Sequence, residues 1–207
     1  MNPYTTVKEF AESYFEDRHS KFIGLCQPVS TEAEALEFIS AVKKKYSDAK
    51  HWVYAYVIRE NNTTRFTDDR EPQGTAGMPV LDAIRKNGCT DTVIVVVRYF
   101  GGILLGTGGL VHAYSEAAIS ALKAAKIIRY DIYTTLSLSA SYSDYQKLIP
   151  VLAEYDFRET DTDYSTDVCI LGSLKAEQLD AFSNAVTQAT SARALVEKIS
   201  EDFDYRE

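Results

Sequence analysis

The chain has 207 residues, 45% of them hydrophobic and 25% charged, with a formal net charge of −8. This composition excludes a disordered or low-complexity chain and suffices for two small domains with ordinary cores. No apolar run approaches the ~18 residues of a membrane span, Met1 to Lys8 lack the basic-then-apolar order of a secretion signal, and Cys26, Cys89 and Cys169 are too scattered for a disulfide framework or a zinc site. The expectation is a cytoplasmic protein, off the membrane, whose cysteines serve as buried small hydrophobes.

In chain order, Lys21 to Gln27 predicts a strand. Thr31 with Glu34 three residues on is a capping-box signature that opens a helix ending near Tyr46. Lys43, Lys44 and Lys45 read as its solvated end, favoured by the helix dipole, or together with Lys50 as a basic face for nucleic acid. His51 to Arg59 alternates, with Val53, Ala55 and Val57 on one face and Trp52, Tyr54 and Tyr56 on the other, as in a strand packed on both sides. Asp68 to Pro79 is a dense loop of acids, glycines and prolines. A helix follows Gly74, with Thr75 as its cap and Pro79 in its first turn, and stops at Asn87-Gly88. The apolar run Thr92 to Val97 is a buried strand that empties at Arg98 into a loop of five glycines, Gly101, Gly102, Gly106, Gly108 and Gly109. Thr107 is placed to cap a helix through His112 to Lys126. Strand, glycine loop and helix N-terminus make an anion cradle, or else a tight crossover needing small residues only for packing. The spacing is neither a dinucleotide fingerprint nor a P-loop.

The back half reads as strand Ile132 to Ser141, helix Ser143 to Tyr155, a hairpin of Phe157 to Asp163 and Thr166 to Ser173, helix Lys175 to Gln188 and strand Arg193 to Ile199. That β-α-β-β-α-β order is the ferredoxin-like unit, with Leu136 and Leu138 facing the helices and Ser137, Ser139 and Ser141 facing away. The fold class is therefore α+β in two domains, residues 1–130 and 131–207. Charge divides the chain at the same place: 16 Lys and Arg against 15 Asp and Glu up to residue 130, a balance of +1, and 6 against 15 beyond it, a balance of −9. The acidic domain is repelled by phosphate backbones, so nucleic acid is a partner of the front domain only, with no DNA sequence specificity expected.

The two front loops together carry a resemblance. Asp68-Asp69-Arg70-Glu71-Pro72-Gln73-Gly74-Thr75-Ala76-Gly77, then Arg98-Tyr99-Phe100-Gly101-Gly102 through Leu105-Gly106 and Gly108-Gly109-Leu110, with Ala113 and Tyr114 beyond, resembles the hallmark of the IMPACT family, the YigZ-like proteins of bacteria and their eukaryotic relatives in translation control. Arg70 departs from it, standing where the family has glycine, which puts in question any role there for positive φ. The resemblance implies an amino-terminal domain with the β-α fold of a ribosomal protein's second domain, and a ferredoxin-like carboxy-terminal domain like the last domain of the ribosomal translocase factor. It implies a non-enzymatic interaction module in translation or its regulation, binding RNA, the ribosome or a translation-related protein.

The residues for that contact are Asp68, Asp69, Glu71, Gly74, Thr75, Gly77, Arg98, Tyr99, Phe100, Gly101, Gly102, Gly106, Gly108 and Gly109, with His51 joining if its strand lies beside the acidic loop. A guanidinium at the exit of an apolar strand suits a carboxylate or phosphate, whether a ligand's or an internal partner's, and Tyr99 and Phe100 stack on a base or belong to the core. Two alternatives stay open. In one, Asp68, Asp69 and Glu71 hold Mg²⁺ beside a phosphate in an enzyme acting on a nucleotide or phosphorylated small molecule; the competing structural role is that Asp68 and Asp69 cap turns while Glu71 pairs with Arg70 or Arg98. In the other, the acidic carboxy-terminal domain docks a basic protein. No nucleophile elbow or triad is visible, so no catalytic residue is assigned, and no cofactor is expected outside the Mg²⁺ alternative.

Overall fold

A computed structural model describes residues 2–206. The described chain divides into two compact units, one of Tyr4–Arg129 and one beginning at Tyr130; Asn2 and Pro3 cluster with the second, not with the domain of residues 1–130.

The first unit is a five-stranded sheet in the order β2-β3-β6-β4-β5, where β2 is Ala11–Asp17, β3 Ser20–Pro28, β4 His51–Ile58, β5 Thr63–Thr67 and β6 Thr92–Tyr99. Every neighbouring pair is antiparallel. A short first strand, β1 (Tyr4–Val7), reaches Cys89 through a parallel bridge at Thr5. Helices cover both faces. On one side α2 (Gly77–Lys86) and α3 (Gly106–Ala124) pack on Phe22, Cys26, Val53, Ala55, Ile94 and Val96; on the other α1 (Glu32–Lys45) packs on Leu25, Tyr56, Ile58, Val93, Val95 and Val97. Central β6 is therefore an unbroken apolar run rather than an alternating one, and each fully buried Val or Ile contributes about 1.5–3 kcal/mol.

The second unit has β7 (Ile127–Ala140, entering it at Tyr130), α4 (Tyr142–Glu154), β8 (Arg158–Tyr164), β9 (Val168–Lys175), α5 (Leu179–Thr190) and β10 (Leu195–Asp204). The strands run β10-β7-β9-β8, all antiparallel, which is the ferredoxin-like order. Leu136, Leu138, Val168, Ile170 and Leu174 meet Leu148, Phe182 and Val186 in a separate core.

Several local expectations need correction. Thr31 caps α1 through its side chain, accepting from Glu34 N at 3.2 Å, but Glu34 Oε2 accepts from Ser30 N instead of closing the box on Thr31. Neither Thr75 nor Thr107 caps a helix: α2 starts after Ala76 and α3 after Leu105, without a cap from either side chain. Thr75 Oγ1 is already bound, donating to Pro72 O at 2.6 Å. Cys26 and Cys89 are buried, and burial pushes the Cys89 thiol up to about 11, but Cys169 is exposed because it alternates with Val168 and Ile170 and so faces outward.

Candidate functional site

The site is built at one end of the first sheet, where β4 begins and β6 ends. His51 and Arg98 are register partners there, and Phe22 of β3 lies on the other side of Arg98. Two loops close over this end: 68–76 between β5 and α2, and 100–105 between β6 and α3. Because β4 and β5 are adjacent, the acidic loop leaves β5 directly beside the start of β4.

The three acids of the first loop diverge. Asp68 binds its own loop, its Oδ2 accepting from Gly74 N at 2.9 Å and its Oδ1 from Ala76 N and Gly77 N at 3.1 and 2.8 Å. It therefore serves the first turn of α2 as a cap from eight residues upstream of Ala76. Asp69 Oδ2 accepts from Trp52 N at 2.7 Å, and its carbonyl accepts from His51 Nδ1 at 2.8 Å. Glu71, buried at 9% exposure, turns inward: its Oε1 accepts from Arg98 Nη1 at 2.5 Å and from Tyr114 Oη at 2.8 Å, with His51 Nε2 at 3.8 Å. Burial, with the Glu71 carboxylate beside it, pushes the Tyr114 hydroxyl far up, so it remains a donor. The three carboxylates thus turn to different partners, and among the described residues no group of three or more His, Cys, Asp or Glu is placed to hold a metal ion. The arrangement matches the capping and pairing role.

Arg98 is 5% exposed and packs between rings, 5.5 Å from the Phe22 centroid and 5.7 Å from that of Phe100. Its Nη1 belongs to Glu71, while its buried Nε has no acceptor in the protein. Tyr99, one residue on, points to the other face of the sheet by strand alternation. Its hydroxyl donates to Asp48 at 2.8 Å and is pushed up to about 12 by burial and that bond, so it belongs to the α1 side and not to the site. Phe100 is half exposed at the rim.

The glycines divide by role. A Cβ on Gly101 would lie 2.0 Å from the carbonyl carbon of His19, so the second loop can cross the β2–β3 hairpin only with glycine there. Gly106 starts α3 at φ 71° beside the cleft, and Gly108 and Gly109 follow in the same turn. Gly102 is exposed, and Gly74 borders a separate groove between α2 and α3, as do Met78 and Val111. Gly77 packs on β5, where a Cβ would meet Thr67 O at 2.5 Å. The cleft itself, about 400 Å³, is lined by Lys50, His51, Arg70, Glu71, Arg98 and Phe100, then by Leu104 and the start of α3 at Gly106 and Thr107. Lys50, named only for a basic face, Thr107, named only as a cap, and Tyr114, named only in the motif, were not among the contact residues expected from sequence; Tyr114 could have been found, since it lies on the apolar stripe of α3 with Leu110, Ala113 and Ala117.

A family model described as the Impact N-terminal domain matches residues 18–122, and one described as a domain of unknown function, DUF1949, matches residues 138–193. The chain is 37% identical over 195 residues to IMPACT family member YvyE of Bacillus subtilis, covering 94% of this chain and 90% of that one. The chain belongs to the IMPACT family. This IMPACT-family chain is also 33% identical over 184 residues to IMPACT family member YigZ of Escherichia coli, covering 87% of each. Protein IMPACT of Xenopus laevis is 32% identical over 100 residues, covering 46% of this chain and 32% of that protein. A crystal structure of a hypothetical protein aligns with a TM-score of 0.60 at 29% identity, covering 97% and 98% of the two chains. Arg70 adopts φ 69° and Asp69 φ 41°, the left-handed region that glycine favours.

Proposed function

We propose that this protein is a binding module associated with translation, whose first unit presents the cleft between the 68–76 and 100–105 loops to RNA. The observation that carries the reading is the lining: Lys50 and Arg70 exposed at the mouth, Arg98 beneath them, and the start of α3, uncapped by any side chain, in the same wall. Main-chain N–H groups at a helix start and flanking cations attract phosphate, while exposed Phe100 and Leu104, the latter 81% exposed, offer apolar surface to a base. Family membership supplies the translation context and the cleft supplies the chemistry.

Co-sedimentation of the full chain with ribosomes and with protein-free ribosomal RNA, across a salt series, tests this. Binding at low salt should weaken steeply with salt, and Lys50→Ala with Arg70→Gly should flatten the slope by about one for each phosphate that is no longer neutralised. Protein that stays in the supernatant at the lowest salt would sink the reading. Arg98→Ala is a poor probe, because it strands Glu71.

A second reading rests on the outer sheet face of the second unit. Asp161, Leu171, Ser137 and Glu197 form one row across β8, β9, β7 and β10, with Asp161, Leu171 and Glu197 exposed. Such a face fits a basic protein, and salt should release that partner.

A further inference from the structure

We infer that the cleft is a receptor for a phosphate monoester, the dianionic group carried by a mononucleotide or by the 5′ end of an RNA, and not for an internal phosphodiester. The proposal deepens the RNA reading and rests on the same site. Three features converge on it. The first is charge: the lining holds the cations Lys50, Arg70 and Arg98 against the single carboxylate of Glu71, an excess of two that matches a dianion and exceeds a diester's single charge. The second is the start of the 19-residue helix α3, which opens on the cleft at Gly106 and Thr107 without a side-chain cap. Its first-turn N–H groups carry the positive end of the helix dipole.

The third is Arg98, which is 5% exposed and only partly satisfied. Glu71 takes Nη1, and the buried Nε–H has no acceptor in the protein. A buried donor left unmatched is costly, and Arg98 lines the cleft, so a phosphoryl oxygen there meets the guanidinium that carries it. His51 lines the same end of the cleft. Its Nδ1–H is committed to the Asp69 carbonyl, and its Nε2 lies 3.8 Å from Glu71 Oε1 in the cleft wall.

The test uses the full chain in a phosphate-free buffer. Inorganic phosphate and adenosine 5′-monophosphate should raise the thermal midpoint in a dose-dependent way, and adenosine should leave it unchanged. The informative variant is Gly108→Asp. A Cβ there meets nothing within 4 Å outside its own helix backbone, and an acid in the first turn of α3 favours the helix while repelling a phosphate. Its unliganded midpoint should equal or exceed that of the wild type, and its affinity for phosphate should fall at least about tenfold, the effect of ~1.4 kcal/mol. No shift with phosphate or the mononucleotide, or a shift that survives Gly108→Asp, overturns the proposal. A matched pair of single-stranded RNAs, 5′-phosphorylated and 5′-hydroxyl, identifies the source. Preference for the phosphorylated strand assigns an RNA end. A mononucleotide shift without RNA binding upholds the monoester site and removes the RNA reading instead.

Discussion

Glu71 ties the two loops of the site to the strand end, since one carboxylate oxygen serves both Arg98 and Tyr114 inside the fold. Removing one partner of such a buried pair leaves an uncompensated charge, so Arg98→Ala should cost about 3–5 kcal/mol in urea unfolding. Tyr114→Phe removes one donor of two and should cost about 1–2 kcal/mol. A wild-type midpoint in Arg98→Ala would mean the pair braces nothing. Arg70 holds the left-handed turn at the usual steric cost of ~1–2 kcal/mol for a side chain, partly offset by the larger unfolded-state entropy of glycine. Arg70→Gly should therefore be as stable as the wild type, or more stable by up to about 1 kcal/mol. The motif brought these residues to notice, but the destination of each side chain was not legible in it. Arg98 suited a ligand and an internal carboxylate equally well until the fold placed Glu71 2.5 Å away.

At the scale of elements, the long periodic segments were readable and the edge strands of the first unit were not. Strands β3, β4 and β6 and the five helices among the described residues follow from apolar pattern, with Thr31 the one cap of the three expected in the first unit that the structure keeps. Strand β2 was missed although Ala11, Ser13, Phe15 and Asp17 alternate with the more exposed Glu12, Tyr14 and Glu16, because an edge strand buries only part of one face. Strand β5, Thr63–Thr67, contains one large apolar residue, Phe66, and it is exposed. The start of α4 carries a testable pH dependence. Ser141 caps it, and Asp144 in its first turn accepts from Arg193 Nε and Nη2 and from Lys147 Nζ. Hydrogen bonds from Arg193, then from Lys147, hold its carboxyl well below the usual carboxylate range. A depressed folded-state pKa means this stabilisation is fully present above the unfolded value near 4 and is lost as pH falls below it through the folded value. Melting curves of wild type and Asp144→Asn should thus differ at pH 6 and converge toward pH 2; a constant gap would contradict the assignment.

At the scale of the whole molecule, the two units have separate cores, Val7 to Ala125 in one and Leu136 to Val186 in the other. The single tryptophan, Trp52, lies in the first unit, so its fluorescence reports that unit while far-ultraviolet circular dichroism reports both. Arg98→Ala should shift the fluorescence transition, and Asp144→Asn should shift only the dichroism transition. Coincident shifts in both signals for both variants would show one cooperative unit instead.

Sequence by itself determined the class of the fold, the family, the ferredoxin-like order of the second unit and the division of charge between the two halves. These depend on periodicity, composition and local turn chemistry, which act over a few residues or average over many. Tertiary structure alone decided which carboxylates face inward, that Tyr99 leaves the site while Tyr114 enters it, and that Lys50 and Arg70 meet the start of α3 in one cleft. Those outcomes turn on contacts between residues tens of positions apart, where a fraction of an ångström separates a ligand-facing charge from a buried ion pair.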